Sequence, residues 1–397
     1  MLYKDQMEFK IMSSSIILPR IMEIGEQARN KIPQILLNLG CKNPIIITDQ
    51  MMVKLGYIKE IQDILSEQGI NADYFDQTIP EPTASSIALG VEFIQRKPYD
   101  SIIAIGGGSP IDSAKAISIL SQYGGTIRDY CFPQQVNQLG LPIIAVPTTA
   151  GTGSETTRFT IITDDLTQEK LLCVGIGFMP VAAIIDYELT LSLPSRTTAD
   201  TGIDALTHAI EAYVSKKANL YSDQQALAAM KLIGSNLQKA YHEPQNKEAR
   251  EAMMLGSTLA GIAFSNSSVA LVHGMSRPIG AFFHVPHGLS NAMLLPAVTE
   301  FSISYAPDRY ADCACAIGVA HTSDSVSLAN KKLVQFLIDL NRDLKVPTLA
   351  HFGADQIKFN EVMHIMAEQA HASGSPSNNP RVPTLDEMVT LYKTLWN

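Results

Sequence analysis

Continuous apolar runs rich in β-branched residues recur through the first half of the chain. They do not alternate with polar residues, which is typical of strands buried on both faces of a parallel sheet. The predicted strands lie at 44–48, 101–105, 142–146 and 181–186. Predicted helices stand between them, at 50–68, 84–96 and 110–122. This order of strands and helices predicts βαβ repetition and a doubly wound α/β domain.

The pattern changes after about Leu193. The rest of the chain is rich in Ala, Leu, Met and other helix formers, and the segment 197–397 shows no strand pattern. Pro and Gly become dense again at 373–384, before a short closing helix. The sequence therefore predicts two domains, an α/β dinucleotide-binding domain over 1–193 and an all-helical domain over 194–397.

Composition allows two large hydrophobic cores and argues against some partners. Of the 397 residues, 46% are hydrophobic and only 17% are charged, which leaves room for a subunit interface, so we expect a homo-oligomer. The net charge of −9, without a Lys/Arg cluster, argues against a nucleic-acid surface. No apolar run approaches the ~20 residues that span a bilayer, and the N-terminus lacks a signal-peptide pattern. We therefore expect a cytoplasmic protein, and we expect its five scattered cysteines to be small apolar residues in a reducing compartment.

A glycine triplet joins one predicted strand to the helix after it. In 101–117, "SIIAIGGGSPIDSAKAI", Gly107, Gly108 and Ser109 precede Pro110, where a first helical turn accepts proline. Glycines let the backbone approach a ligand, and the free N–H groups of a helix start face an anion. The loop predicts a pyrophosphate cradle, and the alternative is a tight turn with no ligand. Its spacing differs from the dinucleotide fingerprint G-x-G-x-x-G.

A second loop and one carboxylate extend this prediction. The segment 145–157, "AVPTTAGTGSETT", offers the hydroxyls of Thr148, Thr149 and Thr152 among small residues. These groups suit phosphate and nicotinamide-ribose contacts, and the alternative is a polar turn into a hairpin. Asp49 follows an earlier strand, where a carboxylate either hydrogen-bonds the adenosine ribose or only caps the next helix.

The helical half contains four side chains with the chemistry of metal ligands. Asp204 and His208 stand four residues apart, so they lie on one helical face, one turn apart. His273 and His287 follow in a segment punctuated by Gly and Pro. A lone histidine is more often structural, but three imidazoles and one carboxylate without a thiolate fit Fe(II) or Zn(II). Such an ion would act as a Lewis acid beside an alcohol oxygen.

The chain resembles the iron-dependent (group III) alcohol dehydrogenase family. The motifs that carry the resemblance are, in chain order, "GGGSPIDSAK", "PTTAGTGSE", "GIDALTHAIEAY" and "VHGMSRPIGAFFHVPHGLSNAMLLP". The likeness covers nearly the whole chain and is greatest to the branch of lactaldehyde reductases and propanediol dehydrogenases. It implies a dehydroquinate-synthase-like fold with a cleft between the two domains. It also implies NAD as the cofactor and iron as the metal, with zinc as the alternative.

The resemblance further implies roles for individual residues. The implied metal ligands are Asp204, His208, His273 and His287. The implied cofactor-binding residues are Asp49, Gly107, Gly108, Ser109, Thr148, Thr149, Thr152 and Lys170. Lys170 matches a lysine near the cofactor ribose. Asp49 matches the residue whose carboxylate favours NAD over NADP, because a 2′-phosphate would meet a like charge there.

The chain departs from its relatives next to the implied metal site. Arg277 stands where the related branch has a histidine, four residues after the third ligand, which puts a proton relay at that position in doubt. Arg277 is placed either to receive an anionic group of the substrate or to form a structural ion pair. His284 either lines the cleft or covers an edge of the core. We assign Arg277 and His284, together with Phe264, to the substrate pocket.

The expected function is hydride transfer between NAD(H) and a small primary alcohol, diol or aldehyde at a metal centre. One alternative is a reductase of an anionic semialdehyde or hydroxy acid, similar to 4-hydroxybutyrate dehydrogenase or maleylacetate reductase, for which Arg277 is the only hint. A lyase similar to dehydroquinate synthase needs a pocket rich in Lys and Arg, and the apolar segments "FFHVPHG" and "GIAFSNSS" argue against it. A non-catalytic assembly protein is a third alternative, which the intact ligand set argues against.

Overall fold

The computed structural model describes residues 14–167 and 169–396, so the N-terminal residues used to judge the signal peptide lie outside it. The strands are β1 (Ile21–Ile24), β2 (Pro44–Ile47), β3 (Asp73–Phe75), β4 (Ser101–Gly106), β5 (Ile143–Pro147), β6 (Phe159–Thr163), β7 (Lys170–Val174) and β8 (Ala182–Ile185). Six of them form a parallel sheet in the order β1-β8-β5-β4-β2-β3, and β6 pairs with β7 as an antiparallel hairpin.

The helices of the first half are α1 (Ile32–Leu39), α2 (Gln50–Lys54), α3 (Tyr57–Ser66), α4 (Ala84–Ile94) and α5 (Gly108–Tyr123). Those of the second half are α6 (Ser195–Val214), α7 (Leu220–His242), α8 (Lys247–Ser265), α9 (Leu271–Phe283), α10 (His287–Ser302), α11 (Pro307–Ile317), α12 (Val326–Asp343), α13 (Leu349–Phe352), α14 (Gln356–Ala372) and α15 (Leu385–Lys393). The helix predicted over 50–68 is in fact two helices, because Gly56 turns the chain with a φ of 83°.

Helices cover both faces of the parallel sheet. Along β2, Ile45 and Ile47 belong to one core together with α4 and α5, whereas Ile46 belongs to the opposite core with α1 and α3. Successive side chains of a strand point to opposite faces, so a strand covered on both faces is apolar at every position. The doubly wound α/β arrangement is confirmed.

The order of the strands places three loops at one edge of the sheet. β2 and β4 are neighbours, while β3 flanks β2 on the outer side and β5 flanks β4 on the other. The chain therefore reverses its direction of winding between β2 and β4, and ligands bind at the carboxyl ends of strands around such a point. Asp49 follows β2, Gly107 follows β4 and Thr148 follows β5.

The second half is helical, and α6 lies at its centre. Every residue of α6 from Thr198 to Val214 is buried except Thr201, because α7, α8 and α10 pack against it. No strand occurs among the described residues from 197 to 396, as the pattern predicts. Ala183 and Ile185 of β8 belong to the same core as these helices, so the sheet and the helical half pack directly against each other. Within the described part of the chain, no helix combines the length and the apolarity that a membrane crossing requires.

Candidate metal centre and cofactor cleft

Three helices bring the four predicted metal ligands to one point. Asp204 and His208 lie one turn apart on α6, His273 lies in the first turn of α9, and His287 is the first residue of α10. The Oδ1 atom of Asp204 lies 3.5 Å from His273 Nε2, 3.8 Å from His287 Nε2 and 3.9 Å from His208 Nδ1. Ligand atoms around a tetrahedral ion with bonds of about 2.0–2.1 Å are roughly 3.4 Å apart. The three distances from Asp204 Oδ1 are close to this value. The possible ligand atoms of Asp204, His208 and His273 also lie within 4.8 Å of one another, so these three residues fit a single ion. His287 meets the group through its 3.8 Å separation from Asp204.

Gly288 allows α10 to reach this point. A Cβ atom at Gly288 would clash with the backbone carbonyl of Asp200 on α6. Because glycine has no Cβ, the start of α10 packs directly on the backbone of α6. Because His287 directly precedes Gly288, this contact between α10 and α6 places the His287 side chain beside Asp204.

A carboxylate that the sequence analysis did not identify orients His273. Glu211 Oε2 accepts a hydrogen bond from His273 Nδ1 at 2.6 Å and one from Ala270 N at 2.9 Å, while its Oε1 accepts from Val272 N at 2.6 Å. Glu211 therefore binds the free N–H groups at the start of α9 and fixes the imidazole with Nε2 towards Asp204. A carboxylate behind a metal-bound histidine is a common way to set its tautomer and raise its basicity.

Asn291 is the second residue that the sequence analysis missed. Its Nδ2 donates to Asp204 Oδ1 at 2.6 Å and lies 3.2 Å from His273 Nε2. Spacing could have revealed both residues. Glu211 is seven residues after Asp204, and Asn291 is four residues after His287, so each shares a helical face with a ligand.

Burial and the neighbouring charges set the protonation of the cluster. Burial lowers the pKa of His208 to about 4, so its imidazole is neutral at pH 7. Burial alone would also lower the pKa of His273, but the carboxylates of Glu211 and Asp204 raise it to about 9. Burial alone would raise the pKa of Asp204, and the surrounding histidines outweigh that effect and hold it below its usual value. His208 Nδ1 is buried without a hydrogen-bond partner among the described residues, so this nitrogen has a lone pair available to a cation.

A cavity of about 200 Å³ adjoins the cluster and is mostly apolar on its other sides. All four clustered residues line it, together with Phe159, Phe264 and Arg277. The ring of Phe264 stacks on His208, with 4.2 Å between centroids and 15° between planes, and the ring of His208 in turn stacks on His273 at 4.3 Å. Phe264 thus lines the cavity, and its ring packs against the ring of the predicted ligand His208.

A separate cleft of about 1070 Å³ runs along the carboxyl ends of the strands. The predicted cofactor residues that line it are Asp49, Gly107, Gly108, Ser109, Thr148 and Thr149. Gly108 lines both the cleft and the metal cavity, so the two spaces meet there. The predicted cofactor residue Thr152 lines the cavity and not the cleft. A Cβ at Gly108 would lie 2.9 Å from Thr152 Cγ2, and glycine therefore permits this close approach of the two loops.

Asp49 caps a helix and also lies at the cleft. Its Oδ1 accepts hydrogen bonds from Met51 N at 2.8 Å and Met52 N at 3.1 Å, so Asp49 caps α2. The same residue also lines the cleft. Capping therefore uses one carboxylate oxygen and leaves the charge at the edge of the cleft.

Two predicted residues lie elsewhere than expected. Lys170 does not line the cleft. Instead it pairs with Glu81 Oε2 at 3.0 Å and borders a surface depression next to Arg277. His284 is exposed, with a left-handed φ of 56° at the end of α9, and lies outside the metal cavity. His284 therefore does not line the metal cavity, where the sequence-based assignment to the substrate pocket would place it.

Comparison with known proteins identifies the family. The profile described as "Iron-containing alcohol dehydrogenase" matches residues 19–187, and the profile of the C-terminal region of the Fe-containing alcohol dehydrogenase family matches residues 198–396. The chain belongs to the iron-containing alcohol dehydrogenase family. The iron-containing family assignment thus agrees with the resemblance found in the sequence.

Individual members of the family are similar over their full length. The chain is 33% identical to the NAD-dependent methanol dehydrogenase of Bacillus methanolicus over 381 residues, which covers 96% of this chain and 99% of that protein. It is 34% identical to the lactaldehyde reductase of Escherichia coli K12, covering 97% and 100% of the two chains. The crystal structure of a 1,3-propanediol oxidoreductase superposes with a TM-score of 0.93 at 33% identity, covering 97% and 100% of the chains.

Proposed function

We propose that this protein is a metal-dependent oxidoreductase that transfers hydride between NAD(H) and a small primary alcohol, diol or aldehyde. One observation carries the proposal. A single oxygen of Asp204 lies within 3.5–3.9 Å of a nitrogen of each of three histidines, in a cavity that meets the cleft lined by the glycine loop. The full-length family members named above support the same reaction class.

Asp204, His208, His273 and His287 would hold a divalent ion, which we propose to be Fe(II), with Zn(II) as the alternative. A bound ion supplies Lewis-acid polarisation of an alcohol or carbonyl oxygen, and a bound nicotinamide supplies or accepts the hydride. The side chains of the protein position the metal ligands and shape the cavity. Glu211 fixes the ring of His273, Phe264 fixes the ring of His208, and the apolar wall of Phe159 and Phe264 keeps water away from the reacting carbon.

The cleft residues would position the cofactor. We propose that the amides of Gly107, Gly108 and Ser109 at the start of α5 bind its pyrophosphate, as helix starts bind anions. Thr148, Thr149 and Thr152 lie on the facing loop towards the nicotinamide end, because Thr152 is the one that reaches the metal cavity. The carboxylate of Asp49 at the far end of the cleft would favour NAD over NADP. Lys170 would contact the cofactor ribose only after leaving Glu81.

The hydroxyl proton must leave the cavity when an alcohol is oxidised. Arg277 keeps its proton at physiological pH, so it cannot accept one. Asp112 lines the same cavity, but its carboxylate already accepts from Ser154 Oγ at 2.6 Å and from Ile161 N at 3.2 Å. The side chain of His287 is 40% exposed, so the proton would pass to water on that side of the cluster.

A substrate panel tests the proposal. The protein is loaded with Fe(II) or Zn(II), its metal content is measured, and C2–C6 alcohols, diols and aldehydes are assayed with NAD and NADH. We expect turnover that depends on the metal and prefers NAD(H). Metal-loaded protein that turns over none of these substrates would overturn the proposal.

We further propose that residues 1–193 and 194–397 are the two domains, and that the protein acts in the cytoplasm as a homo-oligomer. All five cysteines are free, which agrees with a reducing compartment. The change from strands to helices between Ile185 and Ser195 supports the domain boundary. Light scattering of the purified protein tests the oligomer, and a monomer at micromolar concentration would contradict it.

A further inference from the structure

Arg277 lies in the metal cavity without a partner. It stands on α9 one turn after His273, so the two side chains share a helical face. Within residues 14–167 and 169–396, no carboxylate lies within 4.0 Å of its guanidinium, and no oxygen accepts a hydrogen bond from it. Its Nε is buried without a partner. The structural ion pair that the sequence left open is therefore absent from the described part of the chain.

Several other arginines of the chain are matched with acids, and the buried Arg250 instead donates to Pro244 O at 2.9 Å and Thr198 Oγ1 at 2.8 Å. Arg29 pairs with Glu60, Asp186 and Glu188 at 2.6–3.0 Å, and Arg309 pairs with Asp223 at 2.6 Å. Arg158 also lacks an acid, but it lies outside the metal cavity and stands over the ring of Phe159.

The remaining charges of the cavity do not neutralise Arg277. The carboxylates that line it are Asp112, which is engaged by Ser154 and Ile161, and Asp204, which belongs to the metal cluster. Burial lowers the pKa of Arg277, and the charge of Glu211 opposes this effect without reversing it. Arg277 is half-buried, with its Nε fully buried. A partly buried cation without a counter-charge carries a desolvation cost, and that cost falls when an anion binds.

We infer that Arg277 is an anion-binding subsite, and that the preferred substrate carries a carboxylate on a short chain beyond its reacting carbon. The inference rests on the proposed function, because the reacting end is placed at the four metal ligands. One helical turn separates His273 from Arg277, about 5–6 Å between Cβ atoms. A 4-oxo or 4-hydroxy acid of four to five carbons spans such a distance. The planar guanidinium binds a carboxylate through two parallel hydrogen bonds.

A pair of aldehydes of equal chain length tests the subsite. The kcat/KM values for 4-oxobutanoate and butanal are measured with NADH for metal-loaded wild type, Arg277→Met and Arg277→Lys. Arg342→Met is the matched control, because Arg342 is exposed on α12 and far from the cavity. We expect wild type to prefer 4-oxobutanoate. In Arg277→Met the preference ratio should fall by roughly ten- to a hundred-fold, in Arg277→Lys by less, and in Arg342→Met by less than twofold.

Two results of this assay would overturn the inference. One is a wild type that prefers butanal, and the other is an Arg277→Met variant in which both aldehydes lose the same factor. If wild type reduces neither aldehyde, the substrate panel described above decides on the proposed function, and a binding measurement decides separately on the subsite. Calorimetry with 4-hydroxybutanoate and the metal-loaded protein should show at least tenfold weaker binding in Arg277→Met than in wild type. Equal affinity, or no binding to wild type, would show that Arg277 does not bind the anion.

Discussion

The ammonium of Lys115 in the α/β half and the carboxylate of Asp204 in the helical half are both buried, and their neighbours differ. Lys115 Nζ donates to Ser154 O at 2.7 Å, Ser154 Oγ at 2.9 Å, Thr157 Oγ1 at 3.0 Å and Phe159 O at 2.7 Å. Its hydrogen-bonding capacity is therefore fully used. Burial lowers its pKa to about 8, which still leaves the ammonium as the main form at pH 7.

The cluster around Asp204 retains unused bonding capacity. Asn291 Nδ2 donates to Asp204 Oδ1 at 2.6 Å, but the three histidines approach Asp204 no closer than 3.5 Å, and His208 Nδ1 has no partner among the described residues. Buried polar groups are normally satisfied, and the exceptions call for an explanation. The difference agrees with a structural role for Lys115 and with the metal-binding role that we propose for the Asp204 cluster. The experiments below examine this difference from both sides.

The largest effect is expected from His273→Ala. Loss of one of four proposed ligands should remove the bound metal and abolish turnover, while helical content measured by circular dichroism changes little. Elemental analysis of the purified variant measures the metal. His242→Ala is the control, since His242 is exposed on α7 and pairs with Asp343. Full activity in metal-free His273→Ala protein would refute the metal site.

Lys115→Met tests the buried ammonium whose hydrogen bonds are all made within the protein. The substitution leaves several buried oxygens without a donor and Asp112 without its nearby positive charge, so the free energy of unfolding should fall by about 3 kcal/mol. Denaturant unfolding measures the change. Lys59→Met is the matched control, because Lys59 pairs with Asp63 on the exposed face of α3, and we expect a change within ~0.5 kcal/mol. Equal stability of the two variants would contradict a structural role for Lys115.

Glu211→Gln tests how the cluster is positioned. Glutamine keeps the shape, but it can no longer accept from His273 Nδ1 and from both backbone N–H groups. We expect metal affinity, measured by competition with a chelator, to fall roughly ten- to a hundred-fold. Glu92→Gln on the exposed face of α4 is the control. If Glu211→Gln lowers thermal stability without changing metal affinity, Glu211 serves only the start of α9.

Asp49→Asn tests a carboxylate of which only one oxygen, Oδ1, accepts the hydrogen bonds that cap α2. Asparagine keeps the cap of α2 and removes the charge from the edge of the cleft. Like charges in contact cost several kcal/mol, so the ratio of kcat/KM for NADP(H) over NAD(H) should rise by at least roughly tenfold. Comparison with Asp355→Asn, an exposed cap at the start of α14, controls for the substitution itself. A wild type that already prefers NADP(H) would contradict this role for Asp49.

Local pattern predicted the buried strands but not the peripheral ones. The runs that became β2, β4, β5 and β8 are apolar at nearly every position, because helices cover both faces. β1 is an edge strand with Met22 and Ile24 exposed, β3 has three residues, and β6 alternates between buried and half-buried positions. These strands depend on their neighbours in the fold, and no continuous apolar run marks them.

The candidate site was predictable from the sequence where its residues lie on one helix. It was less predictable where a residue's role depends on contact with another helix. Asp204 and His208 are visible from their spacing alone. Glu211 is on the same face, but its role depends on α9, which is adjacent only in the folded protein. His284 shows the opposite error. It stands near His287 in sequence, yet a left-handed residue at the end of α9 directs it to solvent.

In the proposed site, the stacked rings of Phe159, Phe264, His208 and His273 would link the range of substrates to the retention of the metal. Phe264 forms a wall of the cavity and is also the surface against which the His208 ring rests. Shortening Phe264 to admit bulkier alcohols would release that ring to rotate. A variant designed with a wider pocket therefore needs another side chain to hold the His208 ring. Phe264 would both limit the size of the substrate and support a proposed metal ligand.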